Sequence, residues 1–173
     1  MESQHDTQVA SFIESIDLVV AKLARYSRGV SREEMEWSPS GLRNSLCWIL
    51  RHCAGLLWAS LAHVSGQSIP DYVREAGIAS SVLNGVTFKI SHGNEFASDA
   101  DALHSELNGA WAALKEFLTN SSHAWETRTL VFERKERNVW ALLWHNMADI
   151  SYHTGQASSW RKLLAGQRKR KQR

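Results

Sequence analysis

Leu143-Trp144-His145-Asn146-Met147-Ala148-Asp149-Ile150-Ser151-Tyr152-His153-Thr154-Gly155-Gln156 sets His145, Asp149 and His153 at intervals of four. On a helix that spacing stacks side chains along one face. The apolar arc of such a helix is defined by Val139, Leu142, Leu143, Met147, Ile150, Ala157 and Leu164. With a step of about 100° per residue, His153 falls inside the arc, Asp149 about 40° toward its edge, and His145 about 40° further out. His153 and Asp149 therefore face inward, and His145 flanks them. An ionised carboxylate at the edge of a buried stripe costs several kcal/mol unless it is paired, hydrogen-bonded or coordinated, so Asp149 requires a partner.

The apolar faces of the other helices offer few such partners, and helix two supplies one. Asn44-Ser45-Leu46-Cys47-Trp48-Ile49-Leu50-Arg51-His52-Cys53-Ala54-Gly55-Leu56-Leu57-Trp58 carries His52 as a lone polar group within an apolar stripe. If the two stripes meet, His52, Asp149 and His153 form a three-ligand set of the kind that leaves coordination positions open for water or substrate. His63 shares the face of His52 but lies roughly 16 Å along the axis, at 1.5 Å per residue, too far for the same ion. The same residues also admit a plainer reading, in which a buried imidazole and carboxylate pair fixes two helices and His52 is a satisfied core histidine.

Around these two stretches the chain reads as four helices. Helix one spans Asp6 to Arg28, with Phe12, Ile16, Val19, Val20 and Leu23 on one stripe. The turn cluster Ser38-Pro39-Ser40-Gly41 precedes helix two, for which Asn44 is a suitable N-cap and which runs to about Val64, before Ser65-Gly66-Gln67-Ser68. Helix three is expected from Ser98 to Asn120 on Leu103, Leu107, Trp111, Leu114 and Leu118. Helix four is expected from an Asn138 cap to about Ala165, with Gly166 as its stop. More than thirty residues without a helical stripe join helices two and three, and Asn84-Gly85 within them suggests a short hairpin. Trp125 to Arg137 reads as an extended loop or a single strand. The expected architecture is all-α, a four-helix bundle with a long crossover between helices two and three, formed by one domain over residues 1–166 and followed by a basic tail at 167–173.

Composition narrows the function classes. At 173 residues the chain can bury a single core without disulfides. Cys47 and Cys53 lie six apart on one helix and point in different directions, which fits a reducing cytosol. No apolar run approaches a membrane span and the start is polar and acidic, so a soluble cytoplasmic protein without membrane partners is expected. The net charge is +2, but five of the last six residues are basic. Setting those five aside from the 20 Lys+Arg leaves the remainder near −3 against 18 Asp+Glu. The basic end reads as a solvated, frayed terminus rather than a nucleic-acid site. No Gly-rich phosphate loop, zinc-finger cysteine pairing or nucleophile elbow is present. A nucleophilic Cys53–His52 arrangement has weak support, since the two are rotated about 100° apart.

Taken together, the two motifs resemble the DinB/YfiT-like superfamily of metalloenzymes. Asn44 to His52 is similar to that family's second-helix signature, in which a tryptophan (here Trp48) precedes the metal histidine by one turn. Leu143 to Gln156 is similar to its fourth-helix signature, His-x-x-x-His-x-x-His-His-Arg-Gly-Gln. The resemblance covers essentially the whole chain before the tail and implies a divalent metal bound by His52, by Asp149 in place of the usual histidine, and by His153. Tyr152 replaces another common histidine and Thr154 the common arginine. A carboxylate at 149 adds negative charge and a harder donor, which makes zinc, nickel, iron and manganese all plausible. The resemblance further implies a homodimer and, in some members, transfer of a low-molecular-weight thiol or metal-assisted isomerisation and hydrolysis.

The leading expectation is a metal-dependent enzyme, a hydrolase or thiol transferase, acting on a small molecule by lowering the pKa of a bound water or thiol. His145, Tyr152 and Gln156 are candidates to orient ligands or bound water. Gln156 lies on the polar side of its helix. The alternative is a non-catalytic bundle that binds a metal or small ligand in the same pocket.

Overall fold

The structure, a computed structural model, describes residues 4–39, 42, 44–66, 100–132 and 135–172. Four long helices dominate: α1 (Gln4–Ser27), α3 (Leu46–Ser65), α4 (Ala100–Asn120) and α5 (Val139–Lys171), with a five-residue helix α2 (Arg32–Glu36) between the first two. Both α1 and α3 pack on α4 and on α5, so the long helices close a ring around one core. The all-α bundle expected from the apolar periodicity is the observed architecture. The suggested hairpin at Asn84-Gly85 and the rest of the long connection lie outside the described residues.

Each helix buries the stripe that its sequence marks. From α1 come Val9, Phe12, Ile16, Val20 and Leu23; from α4 come Leu103, Leu107, Ala110, Trp111, Leu114 and Leu118. α3 is buried nearly all round, as expected of a helix with α2, α4 and α5 against it. Polar groups that tie helices together sit at the rim of this core. Asp17 accepts from Trp111 Nε1 (2.7 Å) and Lys115 Nζ (2.6 Å), joining α1 to α4, and Glu106 accepts from Trp58 Nε1 (2.7 Å), joining α4 to α3. Deeper, Asn146 of α5 donates to Ser60 Oγ of α3 at 2.9 Å, with both residues almost fully buried. Ser60 in turn donates to the Leu56 carbonyl, so its hydroxyl is satisfied in both roles.

Several boundaries differ from the sequence reading. Ser45, not Asn44, caps α3: its Oγ accepts from Trp48 N at 3.2 Å. Both residue types cap well, and the one whose oxygen reaches the first free N–H prevails. At the other end Gly66 adopts φ 72° as its N–H closes on the Ala62 carbonyl (2.9 Å), while Arg128 donates to the Val64 carbonyl. A Cβ on Gly66 would lie 2.9 Å from Arg128 Nη2, the end of a flexible side chain that can shift, so it is the positive φ that restricts residue 66.

The segment before α5, expected as one strand or loop, is a 3-10 turn (His123–Thr127) and an antiparallel hairpin of β1 (Thr129–Phe132) and β2 (Lys135–Asn138), with Thr129 opposite Asn138. Asn138 then caps α5 as expected, accepting from Trp140 N and Ala141 N. α2 was not anticipated, although its capping box, Ser31 with Glu34, is legible in sequence.

Gly166 does not stop α5, which continues to Lys171. Arg168 explains why. Its Nε and Nη2 reach Glu34 at 2.7 and 2.5 Å, and Nη2 also donates to the Gly29 carbonyl at 3.0 Å. This fork holds the final turns against the α1–α2 corner, so the helical part of the basic segment is anchored rather than frayed. Arg168 pulls the Glu34 carboxyl down from its ordinary 4.5 to about 2. A carboxylate depressed on folding stabilises fully above its unfolded pKa, and that contribution is lost as pH falls through its folded pKa. Because Arg168 is partly exposed, Glu34→Gln is expected to cost only about 1 kcal/mol at neutral pH. The penalty should shrink between pH 4.5 and 2. Urea unfolding at neutral pH and again inside that window checks this, and a penalty unchanged by acid removes the ionic explanation.

Candidate metal centre

α3 and α5 cross so that the two polar intrusions in their apolar stripes meet. Ser45 starts α3 one turn before Trp48, and Trp48 lies one turn before His52, so the two rings stack at 4.6 Å between centroids and 14° between planes. On α5 the i, i+4 step brings Asp149 and His153 to the same face. His52 Nε2 lies 3.2 Å from Asp149 Oδ2, and His153 Nε2 lies 3.5 Å from Asp149 Oδ1. The imidazoles stand nearly perpendicular, 4.6 Å apart. One donor atom from each of His52, Asp149 and His153 falls within 4.8 Å of the others. The three residues that sequence reasoning proposed are thus brought together.

Exposure gives the site a direction. The side chains of His52 and His153 are 10% and 7% exposed, whereas that of Asp149 is 37% exposed. The imidazoles form the closed back, and the carboxylate sits at the mouth. Trp48 lines the back wall, stacked on His52 and edge-on to His153 at 5.2 Å.

Gln156 orients the His153 ring. Its Oε1, which can only accept, lies 2.8 Å from His153 Nδ1, so Nδ1 carries the hydrogen and donates. In a neutral ring the lone pair is then on Nε2, the atom facing Asp149. Gln156 is itself held in place: Asn44 Nδ2 donates to the same Oε1 (3.4 Å), and Gln156 Nε2 donates to the Tyr152 hydroxyl (3.0 Å). Burial pushes the His153 pKa down, keeping the ring neutral, with the Gln156 bond opposing. The His52 hydrogen bond holds Asp149 below the ordinary carboxylate range against partial burial.

This donor set fits a divalent ion. Two imidazole nitrogens and one carboxylate oxygen are ligands shared by zinc, nickel, iron and manganese. For a tetrahedral ion with bonds of about 2.1 Å, donors lie about 3.4 Å apart. The 3.2 and 3.5 Å separations, which run to different oxygens of Asp149, lie near that spacing, and one donor atom from each of the three residues lies within 4.8 Å of the others.

The other candidates fall outside the cluster. His145 is exposed, one turn before Asp149, and is not among the three converging residues. Tyr152 is 63% exposed, with its ring 5.2 Å from His153. Gln156, read as lying on the polar side, is half-buried and bonded to a ligand. Asn44, expected as the helix cap, instead donates to Gln156 Oε1. His63 is buried away from the group, and its Nδ1 has no hydrogen-bond partner among the described residues. Cys53 is fully buried, and desolvation pushes its thiol well above the usual range, which removes it as a nucleophile.

Residues 16–157 match the DinB superfamily, and the chain belongs to it. The fold is similar to a crystal structure described as the conserved protein of locus from Enterococcus faecalis, with a TM-score of 0.71, 16% identity, and coverage of 91% of this chain and 96% of that one. At that identity the likeness concerns the fold alone. No curated protein matches the chain significantly in sequence. No described helix is long and apolar enough to cross a membrane.

Proposed function

We propose that this protein binds a divalent metal through His52, Asp149 and His153 and works as a metal-dependent enzyme on a small molecule, as a hydrolase or a low-molecular-weight thiol transferase. The observation that carries the reading is the convergence of the three donors, with the His153 lone pair directed to the shared point by Gln156. When bound, the ion supplies Lewis acidity that brings the pKa of a coordinated water or thiol toward neutrality. The chain's own part is separate from that chemistry. Asp149 supplies negative charge at the mouth and offsets part of the cation's charge. The buried imidazoles and Trp48 exclude water from the back, so approach is from the Asp149 side. Tyr152, whose hydroxyl accepts from Gln156, keeps its own proton available to a bound substrate.

Zinc and nickel suit the two nitrogen donors best, and the carboxylate also admits iron and manganese. Homodimerisation and cytoplasmic residence belong to the same proposal and rest on family membership and on the two buried, unbridged thiols.

The test is metal content after purification without a metal-affinity column. Wild type is expected to carry or take up close to one ion per chain, and His52→Ala far less. Negligible metal in both would refute the centre. Metal-dependent turnover of thiols or activated esters then separates an enzyme from a binding bundle, because a loaded protein inactive across a broad panel is the binding bundle.

A further inference from the structure

A concavity lies at the far end of α5. Leu163, Gln167, Arg170 and Lys171 form one wall of a pocket of about 370 Å³, and Trp37 and Pro39 from the segment after α2 form the other. Residues 163, 167, 170 and 171 recur at helical spacing and fall within about 100° of arc, so they present a single face. This face is distinct from the metal centre, beginning about 15 Å beyond His153 at 1.5 Å per residue.

Three features make the pocket more than a dent. Its volume falls within the range of ordinary small-molecule sites, roughly 300 to 1,000 Å³. Its lining is divided: Trp37, Pro39 and Leu163 are apolar, and Leu163 is 42% exposed, while Arg170 and Lys171 supply two positive charges. Neither cation has an ion-pair partner among the described residues, in contrast to Arg168, which is spent on Glu34 and Gly29. That Arg168 anchor also fixes the last turns, so the two charges are displayed on a held helix rather than a loose end.

We propose that this pocket binds a small amphiphilic anion, an aryl or short acyl group bearing a carboxylate or phosphate. Its charged end meets Arg170 and Lys171, and its apolar body lies against Trp37, Pro39 and Leu163. Arg offers a planar fork for either oxyanion and Lys a point charge, so charge and apolar contact are both needed. The competing account is that these cations only offset the negative end of the α5 dipole. That account predicts no saturable ligand.

Calorimetric titration of the full chain with 2-naphthoate and 2-naphthyl phosphate tests the proposal and shows which oxyanion is preferred. The half-ligands 2-naphthalenemethanol and inorganic phosphate serve as controls. Saturable binding is expected below roughly 1 mM and should weaken as salt is raised. Affinity should fall by about tenfold or more in Arg170→Gln/Lys171→Gln and in Leu163→Gln, and by as much for each half-ligand. All three positions are exposed, so the variants are expected to fold, and circular dichroism checks that they do. His52→Ala should bind as wild type does. The proposal is overturned by absent saturation, by equal affinity in the pocket variants, or by binding lost only in His52→Ala, which would place the ligand at the metal centre.

Discussion

Asp149→Ala is expected to weaken divalent-metal affinity by about a hundredfold or more, equivalent to roughly 2.8 kcal/mol at 1.4 kcal/mol per tenfold. The substitution removes one donor of three and the only carboxylate among them, leaving two imidazoles. Little of the loss should come from unfolding. The Asp149 side chain is 37% exposed, and its contacts are rim contacts with His52 and His153, so stability should change by no more than about 1 kcal/mol. Asp149→His makes the comparison sharper. It restores the residue type of the family signature, so it should recover much of the affinity while shifting preference from manganese toward zinc and nickel. Competition against a chromophoric chelator, with circular dichroism for the fold, reads both effects. If Asp149→Ala binds zinc as tightly as wild type, the carboxylate is not a ligand and the three-residue centre is wrong.

Trp160→Ala is expected to cost about 3–5 kcal/mol, the usual range for emptying a fully buried aromatic site. Trp160 is 0% exposed, packs against the Trp37 ring at 5.9 Å, and donates Nε1–H to the Trp37 carbonyl at 2.9 Å. Its removal creates a cavity and leaves that carbonyl without its partner. For a domain of this size the midpoint should fall by on the order of 10 °C. Trp160→Phe retains most of the volume and should lose only about 1–2 kcal/mol, chiefly from the hydrogen bond. Chemical denaturation of both variants gives the two numbers. A loss below about 1 kcal/mol for the alanine variant would mean that the α2 corner is not packed as described.

The sequence was most informative where periodicity and chemistry coincide. A histidine or carboxylate inside an apolar stripe is costly to bury alone, so His52, Asp149 and His153 each pointed to a partner before any contact was known. What escaped depends on contacts distant in sequence. Gly166 looked like a stop because glycine is a weak helix former, but Arg168 reaches back more than 130 residues to Glu34 and outweighs it. Gln156 lay on the polar side of the wheel, and only the proximity of Asn44 and His153 shows what it does. The β1–β2 pairing needed a partner strand that alternation alone does not identify. The capping box of α2 was legible in Ser31 and Glu34, but five residues are too few for a periodic signal.

The Ser60–Asn146 bond has a bearing on how tolerant this scaffold would be to change. Sliding α3 past α5 by one turn, about 5.4 Å, would strand the Asn146 amide in apolar surroundings at roughly 1–3 kcal/mol, while Ser60 keeps its bond to the Leu56 carbonyl within α3. The alignment of the two chain segments is therefore enforced by a latch that contains none of the donors. A designer could exchange the residues at 52, 149 and 153 for other coordinating types and still inherit the same frame.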